Sequence, residues 1–136
     1  MMDGHFLDNR VFLSSNTGIM AGSVCPAGVL RNARQDLNMT QITVCYGMTE
    51  TSPVSFQTPA VGTPIEKQVS TVGKVLPWTE AKVVRKDGET ARIDEPGELY
   101  TRGYLVMKGY WGDEEKTKQV SGGTNWEEEG RDNILL

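Results

Sequence analysis

No apolar run in this chain approaches the roughly 18–20 residues that a membrane-spanning helix needs. Nor does the N-terminus, Met1-Met2-Asp3-Gly4-His5, carry a basic region or an apolar core, so no signal peptide is expected, and it is too acidic for a transit peptide. There is no basic excess. Fourteen Lys and Arg against 18 Asp and Glu leave a net charge of -4. That balance excludes the electrostatic footprint of a nucleic-acid binder and speaks against anionic membranes. Cysteine is scarce, with Cys25 and Cys45 alone, both on apolar segments and without metal-ligand spacing. Buried free thiols are the expectation, which fits a reducing compartment, cytoplasmic or mitochondrial. The one histidine, His5, is expected to be a solvated terminal residue.

What remains is an ordinary domain's length, 136 residues, with an apolar fraction of 38%. Globular domains usually reach about 45–50%, so part of the packing partner is expected to lie elsewhere. Residues 1–17 give little periodic signal and read as an irregular segment. Gly18-Ile19-Met20-Ala21-Gly22 reads as a short buried strand. Pro26 then opens a helical pattern at its first position, with Val29, Leu30, Ala33 and Leu37 on one face and Asn38 as the stop. Ile42-Thr43-Val44-Cys45 is the next strand. Strand, helix and strand over about thirty residues make a βαβ unit spanning 18–50, with parallel strands and a right-handed crossover.

Residues 51–70 hold Pro53, Pro59 and Pro64 and few periodic apolar positions, and read as a long loop. From 71 to 111 the pattern predicts an antiparallel β region. Val72–Val75 is its first short strand. Ala81–Arg85 turns at Lys86-Asp87-Gly88 and returns over Thr90–Ile93 as a hairpin. Glu98–Gly103 alternates, with Glu98 and Arg102 on one face, and Leu105-Val106-Met107 follows. A short helix is expected over Asp113–Val120, with Asp113 as its cap and Glu114 paired to Lys118. Residues 121–136 carry no assignable structure.

Tyr46-Gly47-Met48-Thr49-Glu50 concentrates chemistry at a strand end, where α/β folds place ligands. It combines a stacking ring, a close-approach backbone, a hydroxyl and an acid. Four motifs occur in order: Met20-Ala21-Gly22-Ser23, then Tyr46–Glu50, then Val72-Gly73-Lys74-Val75-Leu76-Pro77, then Gly97–Gly103 with Gly109-Tyr110-Trp111. Together, over roughly residues 14–120, they resemble the adenylate-forming superfamily of AMP-dependent synthetases and ligases, nearest to medium-chain fatty acyl-CoA synthetases. The resemblance implies an α/β fold in which residues 18–120 form part of a large N-terminal domain. It implies activation of a fatty carboxylate with ATP to an acyl-adenylate, followed by transfer to coenzyme A.

By the same resemblance Tyr46 would stack on adenine, while Gly47 and Met48 supply backbone beside the adenylate and the acyl pocket. Thr49 would hydrogen-bond the α-phosphate. Glu50 would hold Mg²⁺. Gly22, Ser23 and Val24 would line the adenine edge, and Val72 and Gly73 are candidates for the acyl pocket border. Chemistry agrees with these roles: tyrosine offers a flat face with a polar handle, glycine admits close approach, and Mg²⁺ commonly takes one or two carboxylates plus phosphate oxygens. Each residue also has an ordinary alternative. Tyr46 alone reads as a half-buried strand-end aromatic, Glu50 as a solvated loop acid and Gly22-Ser23 as a turn. Gly97–Gly103 reads as sheet scaffold, and Trp78, Trp111 and Trp126 as packing or tail residues.

The chain departs from the family pattern as well. A Ser/Thr/Gly-rich phosphate loop ending in lysine is missing before residue 18. Asn125–Asn133 stands where a Thr-Gly-Asp is expected, and no catalytic lysine follows. The expectation is an internal piece of a synthetase of several hundred residues, with very slow or absent adenylation by these 136 residues alone. The alternatives are a non-catalytic fragment that binds partners or itself through exposed sheet edges and core faces, and a small β-rich binding module over 71–111.

Overall fold

The structure, a computed structural model, describes residues 16–121 and the backbone of 133–135. The expectations for His5, for Trp126 and for most of the two terminal segments lie outside the described residues. Chain contacts divide the protein into two compact units. The first comprises 1–46 and 57–74, and the second 47–56 and 75–136.

In the first unit, β1 (Thr17–Met20) and β2 (Gln41–Tyr46) flank helix α1 (Ala27–Asp36). The strands pair in parallel, from Thr17 opposite Gln41 to Met20 opposite Val44, as a βαβ unit requires. Pro26 stands one residue outside the helix, as its N-cap, with φ -66° and its carbonyl accepting from the Leu30 amide at 3.2 Å. The helix stops where Asn38 turns to φ 54°, and the Met39 amide reaches back to the Ala33 carbonyl at 3.2 Å. The buried face is turned slightly from the expected one. Leu30 is fully buried and Ala33 packs at the core edge, but Val29 is 52% exposed. Leu30 joins Cys25, Ile42 and Val44 in the core, with Met20, Met39, Ile65 and Val69 packed around them. Burying a leucine in this way contributes about 2 kcal/mol. Cys25 and Cys45 are both buried free thiols. Burial pushes the Cys45 thiol up, and Cys25 adds to the effect.

The expected loop over 51–70 is in fact structured. A 3-10 turn (Thr49–Thr51) ends at its first residue, and it contains the two-residue strand β3 (Phe56–Gln57) and helix α2 (Ile65–Ser70). Pro64 caps α2, and Ile65 and Val69 present one small apolar edge to the core. Gln68, fully buried, holds the helix in place. Its amide nitrogen donates to the carbonyls of Ile42 at 3.0 Å and Pro59 at 2.9 Å, and its oxygen accepts from Arg34 at 2.8 Å. Two apolar residues and a glutamine make too weak a periodic signal to read as a helix.

Strand β4 (Lys74–Val75) also departs from expectation, because it completes the first sheet, of order β1-β2-β3-β4, and not the antiparallel region. Gly73 permits this. Its φ is 85°, and a side-chain carbon there would lie 2.2 Å from the Gln57 carbonyl oxygen.

The second unit holds an antiparallel sheet of β5 (Thr79–Val84), β6 (Glu98–Gly103) and β7 (Asn133–Leu135), with β6 central. The ladder of β5 runs to β6, from Thr79 opposite Gly103 to Val84 opposite Glu98. The expected hairpin return over Thr90–Ile93 is reduced to a single bridge, Val84 to Thr90, plus one bond from the Ala91 amide to the Val83 carbonyl at 2.8 Å. A second turn ends it: Asp94 takes φ 67°, and the Glu95 carboxylate accepts from the Arg92 amide at 2.8 Å. Arg102, 6% exposed, ion-pairs with Glu80 directly opposite on β5. Leu105-Val106-Met107 is a turn and not a strand, closed by the Val106 amide on the Gly103 carbonyl at 3.2 Å. Helix α3 (Glu114–Ser121) begins as predicted, with Asp113 accepting from the Lys116 amide at 3.0 Å.

Candidate functional site

The predicted site residues fall in both units. In the first, Gly22, Ser23 and Val24 form the exposed connection between β1 and α1. Gly22 has φ 88° with open space where a side chain would stand, and Val24 is 86% exposed. The Ser23 carbonyl accepts from the Cys25 thiol at 3.6 Å. Tyr46 is the last residue of β2 and is 36% exposed, so its ring stands at the strand end and not in the core. A cavity of about 390 Å³ in this unit lies elsewhere, between Thr58, Pro59, Thr63, Lys67 and Lys74, and takes in none of the predicted site residues except Gly73.

In the second unit, Gly47 to Glu50 lead into the 3-10 turn. Gly47 is required by the chain's own backbone. A side-chain carbon there would lie 2.0 Å from the Pro53 carbonyl oxygen, so the glycine admits residues 53–54 and not only a ligand. Thr49 is exposed and Glu50 half-buried. The turn is locked by Thr51, a residue the sequence reading passed over. Its fully buried hydroxyl accepts from the Met48 amide at 3.1 Å and lies 3.2 Å from the Met48 carbonyl, to which it donates. Ser52, at φ 48°, then reverses the chain. A hydroxyl three residues beyond the start of a turn is a local signal that was available.

Glu50 is held twice more. Its carbonyl accepts from the Met107 amide at 2.9 Å. Its carboxylate oxygen Oε1 accepts a hydrogen bond from the Tyr110 hydroxyl. Glu50 beside it holds that phenol above its usual range, so Tyr110 stays protonated and donates at neutral pH. Among the described residues no three of His, Cys, Asp and Glu come together. Glu50 therefore offers a hard carboxylate that is part of no such group among the described residues. That fits Mg²⁺ carried on nucleotide phosphates and does not fit an all-protein cage.

Comparison with known proteins gives a consistent result. The family model described as AMP-binding enzyme matches residues 4–111. The chain is 41% identical over 116 residues to the mitochondrial medium-chain acyl-CoA ligase ACSF2 of Mus musculus, covering 85% of this chain and 19% of that protein. It is 43% identical over 115 residues to the acyl-CoA ligase SID4 of Ajellomyces capsulatus, covering 81% and 19%. Among solved structures, a long-chain-fatty-acid-CoA ligase from Archaeoglobus fulgidus superposes with a TM-score of 0.68 at 23% identity, covering 93% of this chain and 27% of that one. PA1221, a protein containing adenylation and PCP domains, superposes with a TM-score of 0.74 at 18% identity, covering 96% and 26%. These likenesses show the fold. The chain spans about a fifth of the length of the curated relatives it matches, 19% of each.

Proposed function

The chain belongs to the AMP-binding enzyme family, and from that premise we propose that it carries part of the adenylate site of an acyl-CoA synthetase. The reaction is activation of a fatty acid, of medium chain length, with ATP to an acyl-adenylate, followed by transfer of the acyl group to coenzyme A. The observation that carries this reading is the turn after β2. A strand-end tyrosine is followed at once by a glycine, an exposed threonine hydroxyl and an acid, and Thr51 and Tyr110 fix that turn.

In this reading the Tyr46 ring stacks on the adenine, with Gly22, Ser23 and Val24 along the base edge. Gly47 and Met48 lend backbone beside the acyl-phosphate. The Thr49 hydroxyl donates to the α-phosphate, where charge builds as the carboxylate attacks. Glu50 supplies the carboxylate for Mg²⁺, and Mg²⁺ when bound neutralises phosphate charge. Little covalent work falls to these residues, which position groups and stabilise charge.

Isothermal titration of the chain with a stable acyl-adenylate mimic tests the reading. Binding is expected for the unsubstituted chain, with a loss of about tenfold for Tyr46→Ala, since base stacking on an aromatic is worth about 1–3 kcal/mol. Identical heats for the chain, Tyr46→Ala and Thr49→Ala would remove the adenylate site from this loop.

A further inference from the structure

Glu50 and Tyr110 are 60 residues apart in sequence, yet the phenol hydroxyl of one donates to the carboxylate of the other. Tyr110 is itself held from the other side. Its amide donates to the Thr117 hydroxyl of α3 at 2.9 Å, and that hydroxyl donates to the Asp113 carbonyl at 2.8 Å. The residue before it, Gly109, packs against Thr117 so closely that a side-chain carbon would lie 2.8 Å from the threonine methyl. The Met107 amide, in the same turn, fixes the Glu50 carbonyl at 2.9 Å. Backbone and side chain of one acid are thus gripped by one short segment, and that segment is seated on α3.

An acid needed only for packing has no use for this arrangement. Glu50 is half-buried and offers one carboxylate oxygen to the phenol, and among the described residues it forms no ion pair and its second oxygen has no other partner. A carboxylate whose one oxygen is pinned by a neutral donor is oriented without being neutralised. Ligand carboxylates at metal sites are commonly held in this way by hydrogen bonds from beyond the metal's own shell.

We propose that Tyr110 is a positioning residue for the Glu50 carboxylate, aiming its free oxygen at a nucleotide-borne divalent cation, with Thr117 of α3 holding Tyr110 in place. The inference rests on the reading of Glu50 as the acid that meets the metal. The phenol contacts neither the nucleotide nor the cation. It contributes by fixing one rotamer of an otherwise flexible side chain, which then binds without losing that freedom.

The test is Mn²⁺ affinity, measured by titration calorimetry in the presence of AMP, together with a thermal melt of each variant. Glu50→Gln is expected to abolish the metal-dependent heat. Tyr110→Phe keeps the ring and is expected to weaken Mn²⁺ about tenfold or more, the scale of such supporting contacts. Thr117→Val leaves the phenol present but loosens its seat, and is expected to weaken Mn²⁺ by a smaller factor. The double variant Glu50→Gln with Tyr110→Phe is expected to be no worse than Glu50→Gln alone.

An unchanged Mn²⁺ affinity in Tyr110→Phe with a lowered melting temperature would overturn the proposal, leaving the phenol a structural role only. Unchanged affinity in Glu50→Gln, or no metal-dependent heat from the unsubstituted chain, would instead overturn the reading of Glu50 beneath it. The two failures are therefore distinguishable.

Discussion

Replacing Gln68 with methionine should destabilise the first unit far more than its volume-conserving chemistry implies. The two side chains are similar in size, so no large cavity opens. What is lost is three hydrogen bonds at a fully buried position. The two donated to the Ile42 and Pro59 carbonyls are neutral, worth about 1 kcal/mol each, and the one from Arg34 is charge-assisted, worth about 2 kcal/mol. Methionine returns about 1 kcal/mol through its extra apolar burial. The net cost is about 3 kcal/mol, or roughly a hundredfold in the opening equilibrium. Native-state hydrogen exchange reads this locally, at the β2 amides of Ile42 and Val44. Their protection should fall by about that factor. Arg34→Met removes only the charge-assisted bond and should cost less, and the double variant should cost less than both single variants together, because they share that bond. Protection in Gln68→Met within a factor of two or three of the parent would refute the reasoning, since it would mean that the three bonds do not hold α2 to β2.

Trp78 is 90% exposed at φ 60°, a conformation that costs a bulky residue about 1–3 kcal/mol. Trp78→Gly should therefore raise the melting temperature, with a gain of about 1 kcal/mol after the glycine's greater unfolded-state entropy. Two glycines of similar φ should part company on substitution by alanine. Gly22→Ala meets open space and should cost only about 1 kcal/mol of backbone strain, whereas Gly73→Ala drives a carbon to 2.2 Å from the Gln57 carbonyl oxygen and should lose about 3 kcal/mol or fail to fold, as urea melts would show. Burial first, and Glu98 second, raise the Tyr100 phenol above its usual range. A raised pKa means the contribution is fully present below the ordinary phenol value and is lost as pH rises through the raised one. The urea midpoint of the parent should accordingly fall relative to that of Tyr100→Phe on raising the pH into the alkaline range, and a constant difference across that range would contradict the assignment.

The parts of the fold that were legible in the sequence are those with local signals. Pro26, the apolar Leu30 and Ala33, and the stop at Asn38 announce a helix, and the apolar run into Tyr46 announces the strand after it. Asp113 announces the start of α3. Features carried by distant partners were not legible. Helix α2 has only Ile65 and Val69 to mark it, because much of its anchoring is polar and passes through Gln68. Strand β4 has the composition of the antiparallel region that follows, and only the clearance at Gly73 assigns it to the first sheet. Thr90–Ile93 alternates like a strand, but the turn at Asp94 takes it away before a ladder can form. At the candidate site, the loop Tyr46–Glu50 was legible as a contiguous motif. Thr51 was overlooked, although a local rule would have found it. Tyr110 was noted only as part of a motif, because nothing local connects a phenol to an acid 60 residues earlier.

Photolabelling with an azido derivative of AMP, followed by peptide mapping, tests the central claim most directly. The account predicts label on the peptide that contains Tyr46, protection by excess AMP, and loss of that label in Tyr46→Ala. Label confined to the cavity between Thr58 and Lys74, or spread without protection by AMP, would contradict it.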